Sequence, residues 1–146
     1  MSKEISYGCC IYKYTKNGVE ILLCRSHSID TIGFPKGKIE KGEYIKETAT
    51  REVKEEINID INPYYLEQYF EQNYKNKLVG IFLINYYNLS SYEFKDSIEV
   101  TDIDFVNLYN IDFNKVQENQ KRIIEDIMYH FRINFNSYKS LRKFLI

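Results

Sequence analysis

Three glutamates near the middle of the chain are spaced so that a helix would bring their carboxylates together. They are Glu52, Glu55 and Glu56, and helical positions three or four residues apart lie about 5–6 Å from each other on one face. Like charges at that spacing repel one another, so the cluster favours a bound cation. Because no Cys or His lies nearby in the sequence, we expect Mg²⁺, with Mn²⁺ as a substitute, rather than zinc. The competing interpretation is a charged surface helix with solvated acids.

The residues around this cluster resemble the signature of the Nudix hydrolase superfamily. That signature is a glycine, a glutamate, an Arg-Glu-aliphatic run, a Glu-Glu pair, a second glycine and an aliphatic residue. The matching positions here are Gly37, Glu43, Arg51, Glu52, Val53, Glu55, Glu56 and Ile59. Asn58 replaces the second glycine, and asparagine is the next-best residue for the left-handed backbone at a helix end. The resemblance implies an α/β (α+β) fold, with a mixed β-sheet sandwiched between α-helices.

The resemblance also implies roles for individual residues. The three clustered glutamates and the Gly37 carbonyl are the implied metal ligands. Arg51 is implied to orient a glutamate, and Glu43 is its nearest candidate partner. Groups that hold ligands in place often matter nearly as much as the ligands themselves.

The implied reaction is attack of water on a diphosphate linkage in a nucleotide derivative, which needs a general base near that water. The candidates are Glu55 or Glu56 on the helix, or a carboxylate on a later loop. We favour Glu99 among the loop acids, because the stretch after it is similar to the aromatic-aliphatic strand that follows a glutamate in the family. Glu93 and Asp96 are alternatives.

The residues that match the signature, 37–59, are called the box below. A glycine-containing loop at the start of the box is suited to binding phosphate. Residues 33–37 include Gly33 and Gly37, which let the backbone approach a ligand, and a helix that begins just after them would add partial positive charge. Lys36 and Lys38 add full charges. We therefore expect this loop to bind the phosphates of the substrate.

The same loop narrows the substrate class. Residues 33–38, followed by Glu40, are similar to two branches of the family: asymmetric diadenosine tetraphosphate hydrolases and RNA-decapping enzymes. The first branch fits a small domain of near-neutral charge, so a dinucleoside polyphosphate is the first expected substrate. The aromatic residues available to stack an adenine are Tyr69, Phe70, Tyr74, Tyr86 and Tyr87. Strand packing is the competing explanation for each of them.

The 5′ end of RNA is the second expected substrate. Eukaryotic decapping enzymes usually carry a helical domain before the box, whereas 36 residues precede Gly37 here. Long RNA would also be expected to meet a basic channel, and the segment 139–143 alone hints at one. We keep two alternative functions: a compact RNA 5′-pyrophosphohydrolase, and a binding module that senses a nucleotide without hydrolysing it.

Composition limits the remaining classes. A chain of 146 residues is expected to form one domain, 1–146, and a net charge of −1 favours neither DNA nor another large polyanion as a partner. No apolar stretch approaches 18 residues, so no membrane span is expected. Cys9, Cys10 and Cys24 are interpreted as buried thiols in a cytoplasmic protein. His27 and His130 have no companion ligands for a zinc site.

Turn residues and apolar periodicity predict the elements that must position these groups. A hairpin of residues 5–14 and 19–24 comes first, followed by a loop to residue 37. The box glutamates belong to a helix over residues 43–57. The later predicted elements are strands at 64–70, 77–87 and 100–106, a helix at 114–131, and a basic tail at 134–146 that forms an amphipathic helix, a docking patch or a partly disordered end.

Overall fold

A mixed sheet of seven strands lies between two long helices. The computed structural model describes residues 3–142, with side chains described as far as residue 133. The elements in chain order are β1 (Glu4–Thr15), β2 (Gly18–Ser26), β3 (Ile32–Gly33), β4 (Lys36–Lys38), α1 (Ile45–Ile57), β5 (Tyr69–Tyr74), β6 (Lys77–Asn85), β7 (Val100–Asn107) and α2 (Lys121–Arg142).

The strand order brings distant parts of the chain side by side. The main path runs β3-β2-β1-β6-β5, while β4 pairs with β1 and β7 pairs with β2. The β1–β6 pairing is parallel and the others are antiparallel. Sequence expectation and structure agree on the fold class, a mixed sheet sandwiched between helices.

Alternation along β1 divides the core into two layers. Cys9 and Ile11 pack with the apolar side of α1, whereas Cys10 and Tyr12 pack with the apolar side of α2. Successive strand residues point to opposite faces, so the adjacent cysteines belong to different layers. All three cysteines are buried free thiols, as the sequence indicated.

Helix α1 forms for the reasons its sequence suggests. Ala49, Val53 and Ile57 are fully buried at four-residue spacing, which fixes the face that packs on the sheet. Asn58 ends the helix with a φ of 65° and donates its N–H to the Lys54 carbonyl at 3.0 Å. Asparagine therefore supplies the left-handed cap in place of glycine.

The predicted start of this helix at Glu43 is two residues too early. The helix begins at Ile45, because the Glu43 side chain accepts hydrogen bonds from the Glu40 N–H at 2.9 Å and the Thr48 hydroxyl at 2.9 Å. Those bonds hold Glu43 in the turn before the helix.

The strand predicted over residues 64–70 is wrong over most of its length. Residues Pro63–Tyr65 form a 3₁₀ turn, in which the Asn62 side chain accepts a hydrogen bond from the Tyr64 N–H at 3.0 Å. Proline and this cap favour a turn over a strand. The strand begins at Tyr69 and runs to Tyr74.

The helix predicted from residue 114 begins later. Two 3₁₀ turns, Phe113–Lys115 and Glu118–Gln120, precede α2. The Gln120 side chain accepts a hydrogen bond from the Phe34 N–H at 2.8 Å, so this segment is fixed to β3 rather than wound into the helix. Helix α2 then extends beyond the predicted end, to Arg142.

Smaller differences concern strand ends. The predicted loop over residues 25–37 contains the end of β2 and the short strands β3 and β4. The last two residues of the strand predicted at 77–87 form a 3₁₀ turn, Tyr86–Asn88. The hairpin of β1 and β2 is confirmed, with Gly18 at a φ of 117° in its turn.

The tail prediction is tested in part. Residues 134–142 continue α2, while their side chains and residues 143–146 lie outside the described part of the chain. Within residues 3–142, neither helix combines the length and apolarity needed to cross a bilayer.

Candidate active site

A large pocket opens where α1, β4 and the first residues of β6 meet. Its volume is about 1020 Å³, which is at the upper end of the range for small-molecule sites. All three box glutamates contribute to its wall. The charged residues and the glycine that the sequence singled out in this wall are Lys36, Gly37, Lys38, Glu52, Glu55, Glu56 and Glu99.

Gly37 and Glu52 are in contact across this pocket. A Cβ built on Gly37 would lie 2.0 Å from Glu52 Oε2, so only glycine leaves room for the carboxylate. The contact follows from the pairing of Gly37 with Tyr7, which places β4 beside α1. The fold thus brings together two residues that the resemblance assigns to one metal.

Arg51 connects the acidic residues of the box. Its Nε donates to Glu43 Oε2 at 2.6 Å and its Nη2 donates to Glu43 Oε1 at 2.9 Å. Its Nη1 donates to Glu52 Oε1 at 2.7 Å and to Glu55 Oε2 at 3.1 Å. Its Nη2 also donates to the Lys38 carbonyl at 3.0 Å. The expected Arg51–Glu43 contact is therefore present, and it extends to β4.

The carboxylates of the box experience opposite environments. The hydrogen bond from Arg51, aided by the Glu40 N–H, lowers the pKa of Glu43 to about 2. Burial raises the pKa of Glu56 to about 8. The hydrogen bond that Glu56 Oε2 accepts from the Lys36 N–H at 3.2 Å opposes this shift. Burial likewise raises the pKa of Glu52, although Arg51 opposes that shift. Two buried carboxylates in one pocket are costly to ionise without a compensating cation.

The donor set fits a hard divalent cation in its chemistry. Glu52, Glu55 and Glu56 offer oxygens only, and the charge of a nearby Glu99 raises the pKa of two of them. Among residues 3–142, however, no three acidic, histidine or cysteine side chains converge closely enough to hold an ion. Two of the three carboxylates, those of Glu52 and Glu55, accept hydrogen bonds from Arg51 Nη1.

The structure separates the three loop acids proposed as the base. Glu99 lines the pocket. Glu93 lies outside the lining and forms an ion pair with Lys95 at 3.9 Å. Asp96 also lies outside it and accepts a hydrogen bond from the Thr101 hydroxyl at 2.9 Å. Geometry therefore favours Glu99.

Positive charge in the pocket comes from lysines rather than from a helix end. Lys36 and Lys38 line it as expected, joined by Lys77 at the start of β6. Burial lowers the pKa of Lys36, while Glu56 opposes that shift. The first turn of α1 does not line the pocket, so the expected partial charge of the helix start is not available there.

None of the five aromatic residues proposed to stack an adenine lines the pocket. Tyr69 packs on Tyr7 and Phe82, with ring centroids 6.4 and 4.8 Å apart. Phe70 packs 5.7 Å from His130. Tyr74 lies at the end of β5, and Tyr86 and Tyr87 follow the far end of β6. Strand packing or surface exposure explains these residues instead.

Sequence reasoning missed other residues of the wall. His27, dismissed as a zinc ligand, lines the pocket from the β2–β3 hairpin. Asn119 lines it from the turn before α2, and its Oδ1 is buried without a hydrogen-bond partner among the described residues. No motif marks either residue, because only the pairing of distant strands brings them beside the box.

Comparison with known proteins identifies the family. The model of the NUDIX domain matches residues 4–127. The chain therefore belongs to the NUDIX domain family, and the resemblance noted from the sequence is confirmed.

Two curated relatives come from Saccharomyces cerevisiae. They are mRNA-decapping enzyme subunit 2 of strain YJM789 and m7GpppN-mRNA hydrolase of strain ATCC 204508 / S288c, each 40% identical over 73 residues. The match covers 49% of this chain and 8% of each relative, so this chain spans a small part of their length.

Solved structures share the fold over most of the chain. The binary complex of a C. elegans Ap4A hydrolase has a TM-score of 0.66 and 20% identity, covering 87% of this chain and 96% of that one. The NUDIX domain of Shewanella oneidensis NrtR, complexed with ADP ribose, has a TM-score of 0.68 and 15% identity, covering 89% of each chain. A NUDIX hydrolase from Nitrosomonas europaea has a TM-score of 0.66 and 18% identity, covering 88% of this chain and 74% of that one.

Proposed function

We propose that this protein is a Mg²⁺-dependent pyrophosphohydrolase that cleaves a diphosphate linkage in a nucleotide derivative. The observation that carries the proposal is one pocket lined by five glutamates and three lysines. The glutamates are Glu4, Glu52, Glu55, Glu56 and Glu99, and the lysines are Lys36, Lys38 and Lys77. Carboxylates suited to a cation, beside ammonium groups suited to an anion, are what a metal-bound diphosphate requires.

Binding of the diphosphate is assigned to the lysines and to the backbone at Gly37. Lys36 is half-buried, and burial lowers the pKa of its ammonium group, so its charge gains from a phosphate partner. Lys38 is more exposed and lies 3.9 Å from Glu4, which leaves it free to reorient toward a ligand. These groups hold the substrate and neutralise part of its charge.

Glu52, Glu55, Glu56 and the Gly37 carbonyl are the residues that would hold Mg²⁺, with Mn²⁺ as a substitute. The bound ion supplies charge neutralisation and a water of lowered pKa. Arg51 donates hydrogen bonds to Glu52 and Glu55. Arg51 and Glu43 are thus assigned to positioning the ligands rather than to touching the substrate.

Glu99 is proposed as the general base, with Glu55 and Glu56 as the other candidates. Glu99 lines the pocket, and among residues 3–142 the partners of Arg51 are other groups: Glu40, Glu43, Glu52, Glu55 and the Lys38 carbonyl. A base must reach the attacking water, and a carboxylate without a fixed partner is free to do so.

A dinucleoside polyphosphate is the first proposed substrate. The pocket volume of about 1020 Å³ accommodates the phosphate chain and one nucleoside, and the neighbour from C. elegans is named an Ap4A hydrolase. Asn119 also lines this pocket, and a side-chain amide is a group that pairs with the polar edge of a base.

The RNA 5′ end is the second proposed substrate. It is supported by the two yeast relatives named for mRNA decapping. We also propose a cytoplasmic location, since three buried free thiols suit a reducing compartment.

The first test is a turnover panel with and without Mg²⁺. It includes diadenosine tetraphosphate, capped RNA, triphosphorylated RNA, ADP-ribose and oxidised nucleoside triphosphates. We expect the wild type to hydrolyse at least one compound and Glu55→Gln to lose most of that turnover. Glu47→Gln is the matched control, because Glu47 lies on the same helix outside the pocket. Absence of hydrolysis across the panel would instead favour the binding module.

The second test separates the two substrates. Diadenosine tetraphosphate competes with a 5′-triphosphorylated RNA at two salt concentrations. Extended backbone contact makes binding steeply salt-dependent, so an RNA enzyme loses RNA affinity sharply at the higher salt. Preference for the dinucleotide at both concentrations supports the first substrate.

A further inference from the structure

A short hairpin forms one wall of the pocket. It joins β2 to β3, and four successive residues of it, 26–29, line the pocket. The hairpin closes through the Ser26 N–H, which donates to the Thr31 carbonyl at 2.9 Å, and the Asp30 N–H, which donates to the Ser26 carbonyl at 3.1 Å. Its position therefore sets the shape of the pocket on this side.

The adjacent segment, residues 97–100, carries Glu99 and also lines the pocket. The His27 N–H donates to the Glu99 carbonyl at 3.0 Å, and Ser26 is the register partner of Val100. The hairpin and the segment with the proposed base are thus directly bonded. A displacement of one is transmitted to the other.

Arg25 contacts both the hairpin and the strand that follows the Glu99 segment, and it does so from outside the pocket. Its Nη1 donates to Asp30 Oδ1 at 2.7 Å, at the end of the hairpin. Its Nε donates to Asp102 Oδ2 at 3.0 Å, two residues into β7. Arg25 itself does not line the pocket. One guanidinium therefore spans the base of the hairpin and the strand that follows Glu99.

Both acidic partners have an unusual backbone. Asp30 and Asp102 each have a φ of 49°, a left-handed conformation that is uncommon for residues other than glycine and is enriched in Asp and Asn. The register between β2 and β7 also shifts between Leu23 and Arg25. The bulge and the two left-handed residues aim both carboxylates at the same arginine.

The effect of these contacts is local rather than global. Asp30 and Asp102 are mostly exposed, and single exposed ion pairs contribute little to the stability of a whole protein. A planar guanidinium that holds two acceptors at once nevertheless restricts the segments that carry them. Residues 27–30 are exposed, so beyond the backbone hydrogen bonds above, Arg25 adds a side-chain contact at the end of the hairpin.

We infer that Arg25 is a positioning residue, which through Asp30 and Asp102 fixes the His27 hairpin against the Glu99 segment and so maintains the substrate-binding wall of the pocket. Its kinetic consequence rests on the proposed function, whereas its structural consequence does not. Because the hairpin lines the pocket and the segment bonded to it carries the proposed base Glu99, loss of the two Arg25 ion pairs raises KM and also lowers kcat.

The experiment uses Arg25→Ala, Asp30→Asn and Asp102→Asn. Asparagine removes the charge and retains the tolerance for a left-handed backbone, so the variants test the ion pairs without adding strain. Glu20→Gln is the matched control: it removes the Lys13–Glu20 ion pair at 3.8 Å, whose glutamate lies on β2 and outside the pocket. Arg25→Lys tests whether a single ammonium group replaces the two-pronged contact.

Two readouts are measured. Amide hydrogen exchange is expected to quicken at Ser26, His27 and Asp30 in Arg25→Ala, and less in Arg25→Lys, with the core strands unchanged. In Arg25→Ala the KM for diadenosine tetraphosphate is expected to rise about three- to tenfold, and kcat is expected to fall by a similar factor. Glu20→Gln is expected to change neither quantity.

The outcomes separate this inference from the proposed function. Unchanged amide hydrogen exchange in the hairpin of Arg25→Ala overturns the positioning role of Arg25, whatever the kinetic result. If exchange quickens in Arg25→Ala but KM and kcat both keep their wild-type values, the assigned effect on the pocket wall is overturned. If the wild type hydrolyses no compound of the panel, the proposed function fails, and the exchange measurement still decides whether Arg25 fixes the hairpin.

Discussion

Arg51 and Glu43 form a two-pronged ion pair, with Nε–Oε2 and Nη2–Oε1 distances of 2.6 and 2.9 Å. The glutamate precedes α1 and the arginine lies in its second turn. Because the same guanidinium also reaches Glu52, Glu55 and the Lys38 carbonyl, this pair fixes the turn, the helix and β4 relative to one another. The predictions below test what that arrangement does.

Replacement of Arg51 by lysine is expected to lower kcat about 10- to 100-fold, as for other residues that orient metal ligands. Lysine keeps the charge but cannot make the two parallel bonds to Glu43. Turnover of the preferred substrate is measured at saturating Mg²⁺. Lys54→Gln is the control, because Lys54 pairs with Asp60 at 3.2 Å and lies outside the main pocket. Equal kcat in Arg51→Lys and wild type would contradict the positioning role.

The lowered pKa of Glu43 predicts that the stability of the protein depends on pH. Its folded pKa of about 2 is below its usual value of 4.5, so the folded state binds fewer protons between these values. The stabilisation is present above pH 4.5 and is lost as the pH falls toward 2. We therefore expect Glu43→Gln to melt below the wild type near neutral pH, and the gap to close in acid. Circular dichroism melts measure both.

Glu40→Gln is the control for this effect. Glu40 faces the same arginine at 3.6 Å and is more exposed than Glu43. Its removal is expected to change the melting temperature less at every pH. A gap between Glu43→Gln and wild type that widens in acid would reverse the assigned sign.

Mg²⁺ is expected to stabilise the wild type against heating. At about 100 times the dissociation constant, a ligand adds about 2.7 kcal/mol, or roughly 5–10 °C for a chain of this size. Burial raises the pKa of Glu56 to about 8, and a ligand carboxylate must be deprotonated. The Mg²⁺-induced shift should therefore grow as the pH rises toward 8.

Variants of the glutamates check this prediction by thermal melts. Glu56→Gln is expected to lose most of the Mg²⁺-induced shift, whereas Glu47→Gln, on the same helix and outside the main pocket, retains it. An equal shift in both variants would remove Glu56 from the ligand set.

Gly37→Ala tests the contact with Glu52. The new Cβ would lie 2.0 Å from Glu52 Oε2, and overpacking of this kind typically costs about 1–3 kcal/mol. Urea unfolding measures the loss. Adding Glu52→Ala should recover part of that stability without restoring turnover, giving a coupling on the order of 1 kcal/mol. Purely additive free energies would show that the two residues do not compete for space.

Local features of the sequence were sufficient for the box helix and its cap. Ala49, Val53 and Ile57 share one face because the helical period is fixed by backbone geometry, and Asn58 ends the helix because its left-handed conformation is accessible to asparagine. Local competition explains the errors. Pro63 and the Asn62 cap favour a turn where a strand was predicted. A hydrogen bond from the Phe34 N–H to the Gln120 side chain holds the segment before α2, so the helix begins later than predicted.

The sequence by itself determined the helix with the three glutamates, since helical spacing follows from a short stretch of chain, and its resemblance to the Nudix signature implied the family, the mixed fold and the partnership of Arg51 with Glu43. Only the tertiary structure decided which distant residues join them. Glu99, His27, Lys77 and Asn119 meet the box because strands far apart in sequence pair in one sheet, and the aromatic residues proposed to stack a base are directed elsewhere by the same pairing. The chemistry of each side chain is known from the sequence. Which side chains line a pocket depends on long-range contacts, and no local pattern shows these.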